Sequence, residues 1–181
     1  MSAETGPGLA GKVADAARRE AAVYAADAGD ERPLGPYAGV MAVYGAVVLG
    51  AGAVLRRAGV RAPATVGPWD VALVGVATHK LARLLAKDPV TSPLRAPFTK
   101  FKGTSGDAEL AEEPREHGVR HAVGELVTCP FCLGLWVATG LGIGLAAAPR
   151  ITRLGAGVFT ALTVADFLQY AYAAAEEKAG G

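Results

Sequence analysis

A chain of 181 residues is one domain's worth of material, and with 51% hydrophobic residues its composition leans toward the bilayer rather than toward water. A formal charge of +1 excludes both a global basic field for nucleic acid and an acidic solvating tail, so every electrostatic argument is local. Two cysteines are too few for a disulfide framework.

Residues 1–32 form a polar leader. They hold ten charged side chains and no apolar core between a basic start and a cleavage site, so they do not read as a secretory signal and are expected to stay in the mature protein. Within the leader, "LAGKVADAARREAAVYAADAG" predicts a helix ended by Gly29, with an apolar face made mostly of alanine. Such a helix is solvated or lies on a surface.

A membrane domain is expected over residues 33–181. No side chain from Pro33 to Leu55 is charged, and a helix over about 34–55 would cross a hydrocarbon layer of roughly 30 Å. Ala38, Ala42, Ala46 and Gly50 recur every fourth residue along it, a small stripe that would admit a neighbouring helix. A second helix is predicted over about 68–87, with Asp70 near one end and His79, Lys80, Arg83 and Lys87 toward the other. It either spans, with Trp69 at one interface and the basic residues snorkelling to the other, or lies along the surface. The charge-free run from Val71 to Thr78 favours spanning.

Residues 88–125 read as a connector. Pro89, Pro93 and Pro97 forbid a regular helix and favour a stiff, extended path. Asp88, Arg95, Lys100 and Lys102 interleave with Leu94, Phe98 and Phe101, a mixture suited either to lipid headgroups or to a solvated basic loop. The polar stretch "TSGDAELAEEPREHGVRH" reads as a mobile exposed loop with a short helix before Pro114. Leu126 to Pro149 then supplies 24 uncharged residues, predicting a spanning helix over about 127–149, and a last helix is expected over about 154–175, interrupted by Asp166. With four spans, the leader, connector and tail share a side carrying eleven basic residues against five opposite, which puts both termini and the connector in the cytoplasm.

Three chemistries compete for "CPFC". As a redox pair, Cys129 would sit at a helix start with Thr128 as a cap, its thiolate favoured by the helix dipole. As a zinc site, His117, His121, Cys129 and Cys132 offer four ligands of the right type within sixteen residues. As packing, the thiols are small fillers whose face continues through Trp136, Gly140 and Gly144. A carboxylate midway along a spanning helix needs a partner, so Asp166 is expected to pair with His79 or Lys80, with Arg83 in the same polar cluster. Proton relay and structural glue are both open readings of that cluster.

The stretches "HKLARLLAKDPVTSPLRAPFTKF", "AVGELVTCPFCLGLWVATG" and "VADFLQYAYAAA" resemble, in order, the bacterial domain-of-unknown-function family 1360, small membrane proteins of which some are associated with sporulation. The resemblance covers about residues 70–175 and implies a membrane architecture, without a known activity. It singles out Arg83, Asp88, Arg95, Pro97, Cys129, Pro130, Cys132, Trp136 and Asp166, whereas His121 departs from its pattern. The expectation is therefore an all-α membrane bundle of about four transmembrane helices behind a polar N-terminal helix, in a bacterial inner membrane. Its partners would be the bilayer and a second copy or another membrane protein, and not nucleic acid. A non-enzymatic scaffold without cofactor is the first functional reading; a thiol redox or zinc-binding membrane protein is the second.

Overall fold

The computed structural model describes residues 8–25, 34–61, 65–115 and 118–180. In chain order the helices are α1 (Leu9–Ala25), α2 (Leu34–Arg57) and α3 (Pro68–Lys87), then a 3₁₀ turn (Pro89–Thr91) and the single-turn α4 (Ser92–Arg95). Strands β1 (Thr99–Gly106) and β2 (Glu109–Pro114) follow, then α5 (Gly118–Thr128), α6 (Pro130–Ala147) and α7 (Pro149–Ala179).

Prolines set most of the boundaries. Pro68, Pro130 and Pro149 each stand at the first turn of a helix, where a missing N–H costs nothing and a fixed φ helps. Asp88, before Pro89, is pushed to extended φ −68° and ψ 137°, which ends α3. Pro130 separates α5 from α6, so the apolar helix begins there rather than near residue 127, and Pro149 starts α7 five residues earlier than the pattern suggested.

The described residues are mostly helical but not all-α. Where an exposed loop and a short helix before Pro114 were expected, the chain forms an antiparallel hairpin, Thr99 opposite Pro114 and Gly106 opposite Glu109, turning through Asp107 and Ala108. Ala108 takes φ +57° in that turn, and Gly103, at φ +134°, sits beside a register shift between Phe101 and Gly103. The hairpin was hidden because its strands are rich in charged and small residues; ion pairs to Arg95 and Arg83 and the approach of α5 tie it to the helices.

The core lies between three helices. Leu73 and Ala77 of α3 and Ala156 of α7 are buried, with Leu141 of α6 and Phe159 of α7 packed against them. Ala82 and Ala86 continue the buried face of α3. Small side chains let the backbones approach, which is how α3 fits between α6 and α7. Asp70 pairs with Arg153, Thr160 Oγ1 donates to the Leu73 carbonyl, and Lys80 pairs with Asp166, so α3 and α7 run parallel. The α3 C-terminus, the hairpin, α5 and the start of α6 gather at one end, the connector end. The α6–α7 turn and the Asp70–Arg153 pair form the other.

Outside this core the apolar surface is bare. Neither α2 nor α6 has a fully buried residue, and Met41, Leu49, Phe131, Leu154 and Phe167 are exposed. Among the described residues three helices, α2, α6 and α7, are long and apolar enough to cross a membrane. The expected fourth, α3, carries Asp70, Lys80, Arg83 and Lys87 and is not among them.

Candidate functional site

The connector end is organised by "DPVTSPLR", residues 88–95. Asp88 Oδ1 accepts from the Val90 amide (2.8 Å), closing the 3₁₀ turn. The Thr91 hydroxyl donates back to the Leu84 carbonyl (2.6 Å), which also accepts from the Asp88 amide at the end of α3 (3.2 Å). Arg95 completes the knot. Its guanidinium donates to the Leu85 carbonyl (2.8 Å), Thr91 Oγ1 (2.6 Å) and the Asp88 carbonyl (3.1 Å), and through Nε to the Glu112 carboxylate on β2. Only 1% of the Arg95 side chain and 5% of that of Glu112 are exposed.

Arg95 is therefore no headgroup contact: it is the internal clamp between the end of α3 and the hairpin. Asp88 is equally committed to local structure. Lys100 and Lys102 stay on the exposed face of β1, with Lys102 Nζ 2.9 Å from Glu113 Oε2. On the other face of the hairpin, α5 comes close enough that a Cβ on Gly124 would lie 2.7 Å from the Phe98 carbonyl and 2.9 Å from Pro114 Cβ.

A cleft of about 580 Å³ opens between α3, α7 and the hairpin tip, lined among others by His79, Lys80, Arg83, Glu109, Asp166 and Tyr170. Lys80 Nζ meets Asp166 Oδ2 at 2.5 Å, and Arg83 pairs with Glu109. Of the two bases considered for Asp166, the structure thus joins it to Lys80, while exposed His79 lines the same cleft. The carboxylate stands about 20 Å along α7 from Arg153, at a rise of about 1.5 Å per residue, and it opens on the cleft instead of on an apolar face.

The cysteines lie at the elbow between α5 and α6. Cys129 is itself the N-cap: its Sγ accepts from the Cys132 amide at 3.2 Å, and the Cys132 thiol donates to the same sulfur at 2.7 Å. Thr128, expected as the cap, instead turns its hydroxyl back to the Gly124 carbonyl (2.8 Å). Both cysteines are free thiols, Cys132 exposed and Cys129 half-buried. One turn earlier, Glu125 accepts from the Tyr37 hydroxyl of α2, and its other oxygen lies 3.5 Å from His121 Nε2.

The zinc set does not assemble among the described residues. His117 lies outside them, His121 Nδ1 is engaged at 2.9 Å with the Arg115 carbonyl, and no group of three or more His, Cys, Asp or Glu side chains is placed to hold a metal. Nor do the thiols, Trp136, Gly140 and Gly144 form one packing face. Trp136 meets Tyr44 of α2 edge-on with ring centres 5.1 Å apart, Gly144 closes on Thr152 of α7, and a Cβ on Gly140 would touch nothing within 4 Å. The expected small stripe on α2 is likewise exposed at Ala38, Ala42, Ala46 and Gly50. Sequence reasoning missed Glu112 and Gly124, which carried no local signal beyond an acidic run and one glycine in a helix.

A family model described as a protein of unknown function, DUF1360, matches residues 73–172. The chain is also 35% identical over 86 residues to the sporulation protein YjcA of Bacillus subtilis, covering 46% of this chain and 73% of that protein. No solved structure matches. With the family model spanning more than half of its length, the chain belongs to the DUF1360 family.

Proposed function

We propose that this DUF1360 protein is a multi-pass integral membrane protein of the bacterial cytoplasmic membrane, working as a scaffold that presents the connector end of its bundle to partners. The observation that carries this reading is the bare apolar surface of α2, α6 and α7, which only lipid or other helices would cover. Four crossings fit better than three. Although α3 is charged, it runs beside and parallel to α7 from the Asp70–Arg153 pair to the Lys80–Asp166 pair, and its 20 residues are long enough to cross about 30 Å.

Four crossings put the leader, connector and tail on one side, the side richer in basic residues and hence the cytoplasm. There the folded hairpin, tied to α3 by Arg95 and Arg83, makes a rigid surface on an otherwise lipid-facing molecule. Its partner on this reading is another membrane protein or a second copy meeting the exposed small stripe of α2. The name of the Bacillus relative makes sporulation the first process in which to look for that partner.

Reporter fusions test the topology. Alkaline phosphatase inserted at Gly59, in the turn between α2 and α3, should be active, while a fluorescent protein after residue 180 should glow in the cytoplasm. Partition of the protein into the aqueous phase without detergent would sink the reading, and an inactive reporter at Gly59 would sink the orientation.

A further inference from the structure

Packing does not explain the cysteine pair. Cys132 is exposed and its neighbour Phe131 is 93% exposed, so neither fills a core. The two sulfurs nevertheless stand 2.7 Å apart, close enough to join with a small adjustment of either side chain. Their roles are also unequal. Cys129 Sγ is the acceptor of both hydrogen bonds, from the Cys132 amide and from the Cys132 thiol, whereas Cys132 donates both. That sulfur also caps the 18-residue α6, whose orphan amides and dipole favour an anion at this end.

We propose that Cys129 and Cys132 form a thiol–disulfide exchange pair acting on disulfide substrates at the connector end, with Cys129 attacking and Cys132 resolving. The Cys129 thiolate attacks one sulfur of a substrate disulfide, forming a mixed disulfide and expelling a thiolate that takes up the proton Cys129 gave to solvent. Cys132 then attacks the Cys129 sulfur, forming the intramolecular bond and releasing the second substrate sulfur, which takes the Cys132 proton. Two electrons pass from the protein dithiol to the substrate, so one disulfide is made and one is reduced to two thiols. The same steps in reverse oxidise a substrate dithiol. A half-buried Cys129 beside an exposed Cys132 suits small or flexible disulfides that can enter at the elbow.

The test uses full-length protein in detergent, reduced and then freed of reductant. It is mixed with glutathione disulfide, quenched at intervals, and its remaining thiols are counted with a maleimide mass tag. Wild type should lose both tags together. Cys132→Ser should stop at a glutathione adduct on Cys129, whereas Cys129→Ser should react at least tenfold more slowly at Cys132. Reduction of insulin disulfides in parallel would assign the substrate to proteins; reaction with glutathione disulfide alone would assign it to the small-thiol pool. The proposal is overturned if wild type keeps both tags, or if the two single variants, matched to wild type by helical circular dichroism, form adducts at equal rates.

Discussion

Replacing Arg95 by alanine should open the connector while sparing the bundle. The side chain is 1% exposed and donates to Glu112, Thr91 and the Leu85 and Asp88 carbonyls. Removing one partner of a buried ion pair costs about 3–5 kcal/mol, since the other charge is left uncompensated. Each abandoned carbonyl would add about 1–3 kcal/mol if water stayed out. These costs do not sum, because an opened connector admits water to Glu112 and to the freed carbonyls. The lower figure of about 3 kcal/mol is therefore the expectation, or on the order of a hundredfold in the opening equilibrium. Amide hydrogen exchange in detergent should show β1 and β2 losing that much protection while the interiors of α6 and α7 keep theirs. Arg95→Lys should fall between, as one ammonium cannot span acceptors arranged around a planar fork. Arg95→Met with Glu112→Leu should recover much of the loss, because the buried charge goes with its partner. If Arg95→Ala changed hairpin exchange by less than threefold, the clamp assigned to this residue would be refuted.

Gly124→Val should separate α5 from the hairpin, since even its Cβ would lie 2.7 Å from the Phe98 carbonyl, and overpacking of this kind costs about 1–3 kcal/mol; faster proteolysis at the hairpin is the readout, and unchanged cleavage would contradict the close approach. Lys80→Met and Asp166→Asn should show a coupling of no more than about 1 kcal/mol in a double-mutant cycle on thermal unfolding, because the pair is 23% and 41% exposed and screened through the cleft. A coupling of several kcal/mol would mean that the cleft is dry. Trp136→Ala should loosen α2, whose Tyr44 ring it meets, by about 0.5–1.5 kcal/mol beyond the lost area; amide exchange around Tyr44 in α2 should speed up, and unchanged exchange would contradict the contact.

Apolar length and proline placement make the helices legible in the sequence. The limits of α3 were readable because Pro68 and Pro89 bracket it, and those of α6 were blurred because apolar residues continue through Pro130. The hairpin was illegible for a different reason. Its strands are held by Arg95–Glu112 and Arg83–Glu109, contacts between residues 17 and 26 positions apart, and a one-dimensional pattern of acids and lysines looks the same whether those partners are solvent or buried arginine. At the candidate site, cysteine spacing announced that the thiols could meet. That Cys129 would be the cap, with Thr128 turned away, depended on α5 ending just before it, which the apolar run concealed.

The charged helix is what reconciles the sequence with a membrane architecture. In lipid, only the helices that face hydrocarbon need be apolar, and α3 faces α6 on one side and α7 on the other. Three of its charged side chains are committed to neighbours: Asp70 to Arg153 and Lys80 to Asp166, both on α7, and Arg83 to Glu109 of the hairpin. The polar residues that make α3 a poor transmembrane segment by composition are therefore those that fix its rotation and depth between its neighbours. An α3 stripped of them would be greasier and less well placed. The carboxylate that Lys80 meets sits on α7, beside which α3 runs from the Asp70–Arg153 pair onward, whereas α2 meets the bundle through tyrosines alone among the polar contacts described.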